Sequence, residues 1–140
     1  MSINNFTVII RSSDKDVETH NTNDCYIKLN CPSHFKYISC EVVQFYVCVT
    51  TETEFDTSLF DLRSDNLNLK NHFDSKNTIA INYLGSKNNS FSKIKFITEN
   101  FNNQRIHFQL YNELNELVKL TDNSLYNENW ILVLNCEGFN

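Results

Sequence analysis

Along most of the chain, apolar residues return at every second position in short runs, and Asn-rich polar stretches separate the runs. The runs are "FTVIIR" (6–11), "CYIKLN" (25–30), "KYISCEVVQFYVCVT" (36–50), "SLFDLRS" (58–64), "NTIAINYL" (77–84), "FSKIKFIT" (91–98), "QRIHFQLY" (104–111) and "NWILVLNC" (129–136). All but the third are short, and all are rich in β-branched and aromatic residues, which is the pattern of half-buried strands. In the last run Trp130, Leu132, Leu134 and Cys136 share a face. The third run changes phase. Ile38, Cys40 and Val42 share a face with Gln44, whereas Val43, Phe45, Val47 and Val49 fill the opposite one. A β-bulge, or a change of covering sheet, would move the apolar face in that way.

One stretch reads two ways. In "RIHFQLYNELNELVKL" (105–120), Leu110, Leu114, Leu117 and Val118 have the spacing of an amphipathic helix, while Ile106, Phe108 and Leu110 alternate with His107, Gln109 and Tyr111. A helix over 111–120 would be short, with only Asn112 as N-cap and no C-terminal Gly. A hairpin around "NELN" uses Asn112 and Asn115, which tolerate the left-handed conformation. With strands expected on both sides, the hairpin is the expectation.

Short strands, no strong helix and eleven Phe predict an all-β fold of two packed antiparallel sheets, with Phe108, Leu110, Trp130 and Leu132 at its centre. The 140 residues suffice for one domain, 1–140, with its own core. Asn is the residue in excess, with 22 copies against two Gly and one Pro, and is read as coding bias before chemistry. A net charge of −5 and no basic run argue against direct nucleic-acid binding and against an anionic-membrane binder. The longest apolar run is broken by Glu41 and Gln44, so no membrane span is expected. The start "MSINNF" shows no cationic or apolar leader. Five cysteines (Cys25, Cys31, Cys40, Cys48, Cys136) form an odd set without framework spacing, which reads as free thiols in a reducing compartment.

Candidate chemistry is thin. Cys31 and His34 have a C-x-x-H spacing, but a zinc site needs four convergent ligands and no C-x-x-C pair exists, so the thiols are read as structural and no metal is expected. "DKDVE" lacks the spacing and Gly of a calcium loop. Asp61, Arg63 and Asp65 in "DLRSD" read as one strand face carrying an ion-pair group or an inter-subunit contact rather than an acid–base site. There is no G-x-S-x-G elbow, and Gly85 and Gly138 cannot build a phosphate loop. His20, His34 and His72 are scattered, and His107 reads as a surface residue on the outward face of its strand. Neither an enzymatic role nor a cofactor is expected.

Three stretches in order resemble a known family, the single jelly-roll minor capsid and penton proteins of nucleo-cytoplasmic large DNA viruses and virophages. "FTVIIRSSDKDVETHNTNDCYIKLN…FKYISCEVVQFYV" is similar to the N-terminal half, where Asn21, Asp24, Ile27 and Leu29 fit an N-x-x-D-[aromatic]-x-[aliphatic]-x-[aliphatic] strand and Cys25 stands where an aromatic is commoner. "SLFDLRSDNLNLKNHFDSKNTIAINYL" looks like the middle segment, L-x-[Ser/Cys]-D-N-L…N-x-F-D-S. "RIHFQLYNELNELVKLTDNSLYNENWILVLN" resembles the paired strands that close the roll, with no Gly in the "NELN" turn where relatives often have one. The resemblance implies an eight-stranded antiparallel jelly roll of two four-stranded sheets. It implies a structural capsid subunit of the virion, assembled in the host cytoplasm, whose partners are further copies of itself, as a homopentamer, and the major capsid protein. On that reading the long loops 12–24 and 64–76 contact neighbours, with Arg63, Asp65, Asn66 and Phe73 as the interface candidates. The runner-up is a soluble β-sandwich module that recognises a glycan or peptide through loop aromatics such as Tyr83 and Tyr126, because jelly rolls also serve as lectins.

Overall fold

The computed structural model describes residues 4–16, 23–47, 59–70, 76–84, 89–118 and 130–140. Cys48, Val49, His20, His72, Phe73 and Tyr126 lie outside the described residues. The described strands are β1 (Asn5–Arg11), β2 (Asp24–Leu29), β3 (Tyr37–Val47), β4 (Leu59–Arg63), β5 (Leu69–Lys70), β6 (Thr78–Leu84), β7 (Asn89–Phe91), β8 (Lys95–Glu99), β9 (Gln104–Asn112) and β10 (Trp130–Phe139). One 3₁₀ turn, Ser12–Asp14, follows β1. All pairings are antiparallel, and they form two five-stranded sheets ordered β1-β10-β3-β8-β5 and β2-β9-β4-β6-β7.

The winding follows from treating the chain as one long hairpin. Setting aside the short β5 and β7, the first four strands pair with the last four in reverse: β1 with β10, β2 with β9, β3 with β8 and β4 with β6. Rolling that ribbon up creates two further contacts, β10 with β3 and β9 with β4, and divides it into two facing sheets. This is the jelly-roll winding of a β-sandwich. The all-β sandwich expected from the alternation is therefore present. The sheets hold five strands each rather than four, because β5 (two residues) extends one edge and β7 (three residues) the other.

Two local features resolve sequence ambiguities. The phase change in β3 is a bulge: Leu134 pairs with Val42 and Val133 with Gln44, so Val43 is the extra residue. The bulge returns Phe45 and Val47 to the interior beside Ile38, Cys40 and Val42. Period two alone would have turned one of these groups to solvent. The run "FSKIKFIT", read as one strand, is two, because the chain leaves one sheet at β7, crosses through Ser92–Ile94 and enters the other at β8.

The opening ambiguity at 105–120 is a tight turn, not a helix, within the described residues. Asn112 N–H donates to the Glu116 carbonyl and Val118 N–H to the Leu110 carbonyl, Tyr111 bridges Leu117, and Asn115 takes the left-handed conformation at φ 61°. The Asn112 side-chain carbonyl accepts from the N–H groups of Leu114 and Glu116, so side-chain chemistry supplies what Gly would otherwise give.

The core lies between the sheets. Phe108, Leu110, Trp130 and Leu132 are each at most 1% exposed, as expected, and the Phe108 and Trp130 rings meet at 5.5 Å between centroids. Ser12, wholly buried, accepts the Trp130 N–H through Oγ and so fixes where β10 begins. Asn82, also buried, donates from its amide nitrogen to the Phe45 carbonyl at 2.9 Å, a polar tie from one sheet to the other. A Cβ on Gly138 would sit 2.1 Å from the Phe35 ring, so only glycine lets that ring close the end of the sandwich. Trp130→Ala is expected to cost about 3–5 kcal/mol, read as a lower denaturant midpoint with an unchanged slope. A loss below about 1 kcal/mol would contradict its central place.

Candidate interaction surfaces

The outward side chains of the β2–β9–β4 face converge on His107. β2 and β9 pair with Asp24 opposite Gln109, Tyr26 opposite His107 and Lys28 opposite Arg105, so these residues share the outer face. The imidazole stacks on Tyr26 at 4.5 Å with an 11° tilt, and the Arg105 guanidinium also lies over Tyr26 at 4.3 Å. His107 Nε2 is 2.5 Å from Asp24 Oδ1, and Nδ1 is 3.0 Å from Asp65 Oδ1. Arg105 in turn ion-pairs with Asp16, whose backbone N–H donates to the Tyr26 carbonyl.

Asn66 performs a backbone task in this cluster. Its amide nitrogen donates to the Arg105 carbonyl at 3.0 Å, and its side-chain oxygen accepts the His107 N–H at 2.8 Å. β4 pairs with β9 only as far as Arg63 opposite Gln109, and the Asn66 side chain continues that ladder by one step where the backbone has turned away. Arg63 is likewise occupied. It is 9% exposed, stacks on Tyr111 at 4.0 Å, and donates to Asp61 at 3.3 Å and to Asn115 Oδ1 at 2.6 Å. It clasps β4 to the 112–116 turn.

The sequence reading placed Asp61, Arg63 and Asp65 on one strand face. The structure keeps Asp61 and Arg63 together as an ion pair at 3.3 Å and separates Asp65 from them, because the strand ends at Arg63. Asp65 belongs to the His107 cluster and Asp61 to the Arg63 clasp. His107 does point outward, but its side chain is only 12% exposed, so it is an organising residue and not a plain surface one. Of the four interface candidates, Asp65 and Asn66 are brought together, Arg63 lies in the neighbouring clasp, and Phe73 falls outside the described residues. The β2–β9 register was the missing information: alternation gives the face, not which outward residues meet.

A second surface was overlooked. On the outer face of the other sheet, Ile9 pairs with Val133, and Ile131 with Tyr46. Ile9 is 50% exposed and Tyr46 46%, while Ile131 and Val133 are half-buried. The four form a diagonal apolar strip running inward from β1, an edge strand among the described residues, with Arg11 beside Ile131 and Gln44 beside Val133 on the same face. Its signal was in the sequence, since "VII" in β1 and "WILVL" in β10 are apolar at both parities, as strands with two apolar faces are.

Among the described residues no group of three or more His, Cys, Asp or Glu could hold a metal ion, and no helix is long and apolar enough to cross a membrane. Comparison of the chain with protein-family models and with curated proteins gives no match. Burial, followed by the charge of Asp24, pushes the Cys25 thiol up to about 12. At neutral pH it stays protonated and is expected to resist alkylation until the protein unfolds. Asn66→Ala breaks both rungs on β9 at once. The expected loss is about 1–3 kcal/mol in chemical denaturation, and an unchanged midpoint would show that the ladder ends at Arg63.

Proposed function

We propose that this protein is a structural capsid subunit, a penton or minor capsid component of a virion, which acts by assembling with copies of itself and with a major capsid protein. The observation that carries the reading is the Ile9–Val133–Ile131–Tyr46 patch beside the edge strand β1. Exposed apolar residues grouped on one sheet face mark an interaction site, and β1 beside it is an edge strand among the described residues. A closed ring of subunits uses a heterologous interface, in which such a flank meets a different flank of the neighbour. The jelly-roll winding and the resemblance over three ordered stretches of sequence support the same reading. Arg63 and Asn66 hold the fold together, and Asp65 lies with His107 on the outer face of the other sheet, so on this view they support the contact surface rather than form its centre.

One feature favours the alternative, a binding module for glycans. Two rows of outward polar side chains, Thr7–Asn135–Glu41–Lys95 and Asn5–Glu137–Ser39, line a cavity of about 440 Å³ on the first sheet. Tyr83 is 43% exposed but sits on the other sheet, away from this trough.

The test is sedimentation of the reduced full chain beside Ile9→Lys and Tyr46→Lys. Both positions are exposed, so the fold should survive a charge there, and circular dichroism checks that it does. Assembly by the wild type that is lost in the folded variants supports the proposal. Equal assembly by wild type and variants overturns the role of the patch, and a monomeric wild type that binds sugars saturably favours the binding module.

A further inference from the structure

Cys40 and Cys136 are direct register partners on β3 and β10, and their sulfurs lie 3.6 Å apart, with Cys136 donating to Cys40. Both side chains are buried, at 1% and 3% exposure, in a cross-strand row that continues to Phe6 on one side and Phe96 on the other. Aliphatic side chains would fill such a row equally well, so packing alone does not account for two thiols in contact. Residues directly opposite in an antiparallel pair have Cβ atoms about 4.5–5.5 Å apart, and a disulfide wants about 3.5–4.5 Å. A side-chain rotation and a small approach of the strands close that gap. Both thiols face the interior between the sheets, with Cys136 slightly the less buried of the two.

We propose that Cys40 and Cys136 form an oxidisable dithiol, which a hydroperoxide converts to a cross-strand disulfide. Cys136, the less buried thiol, attacks first. Its sulfur bonds to one peroxide oxygen as the O–O bond breaks, its proton leaves with the other oxygen as water, and Cys136 becomes a sulfenic acid. The Cys40 sulfur then attacks the Cys136 sulfur. The S–S bond forms as the S–O bond breaks, and the Cys40 proton departs with the hydroxyl as a second water. Two thiols lose two electrons and one hydrogen peroxide becomes two waters. The hydrogen bond with Cys136, together with burial, raises the Cys40 thiol well above its ordinary range, consistent with its acting second. The product fastens β10 to β3 and closes a chain loop of roughly a hundred residues, which restricts the unfolded state strongly. A strained cross-strand bond is also readily reduced, which makes the link reversible.

The experiment treats the folded full-length chain with hydrogen peroxide, blocks remaining thiols with iodoacetamide under denaturing conditions, and maps the digest by mass spectrometry. The expected result is a Cys40–Cys136 linked peptide lighter by two hydrogens than the sum of its parts, with a Tm that rises on oxidation and returns with dithiothreitol. In Cys40→Val the sulfenic acid on Cys136 should persist and be trapped by dimedone. Cys136→Val should show neither the link nor a trapped adduct at Cys40. Recovery of both cysteines alkylated overturns the proposal, as does a link from either to Cys25, Cys31 or Cys48. A Tm that is unmoved despite the link overturns the locking of β10.

Discussion

The structure depends on one strand arriving last and sitting in the middle. β10 comes from the C-terminal end of the sequence, yet it lies between β1 and β3, paired over seven residues on one side and ten on the other. Its inward row, Trp130, Leu132, Leu134 and Cys136, faces the second sheet, where Phe108 meets Trp130. Neither sheet can bury its inner face without that row. The cost is topological, because contacts this far apart in sequence close large loops before they stabilise anything, and folding should be slow for the size of the chain. Ser12 and the bulge at Val43 both serve the same insertion, one fixing the start of β10 and the other keeping the facing strand in phase.

With the core settled, each outer face has its own chemistry. The second sheet is occupied by its own charges: His107 between Asp24 and Asp65, Arg105 on Tyr26, Arg63 on Tyr111, and Asn66 standing in for a strand. These groups are charged or polar and pair with one another, with Asp65 and Arg105 still well exposed. The first sheet is different, with an apolar patch at the β1 edge and a polar trough beside it. The assignment of assembly to the first sheet rests on that contrast.

Much of the fold was legible in the sequence because burial imposes period two on a half-buried strand. The inward rows of β2, β9 and β10 and the core of Phe108, Leu110, Trp130 and Leu132 follow from alternation, and the phase change in "CEVVQF" marked the bulge. The five-stranded sheets were not legible, since β5 and β7 are too short to carry a period, and "FSKIKFIT" keeps its alternation while changing sheets. The candidate site was legible only in part. Asp65 and Asn66 were singled out, but their meeting with His107 depends on the β2–β9 register and on a turn after β4, neither of which alternation encodes. Arg63 looked available because it alternates outward, and besides its neighbour Asp61 a stacked ring and an acceptor from distant sequence, Tyr111 and Asn115, hold it instead.

Native mass spectrometry of the reduced full-length chain is the most direct test of assembly as the working principle of this sandwich. A discrete complex of five copies that persists on dilution is the expected result. A monomer at every concentration, both alone and mixed with a major capsid protein, would contradict it.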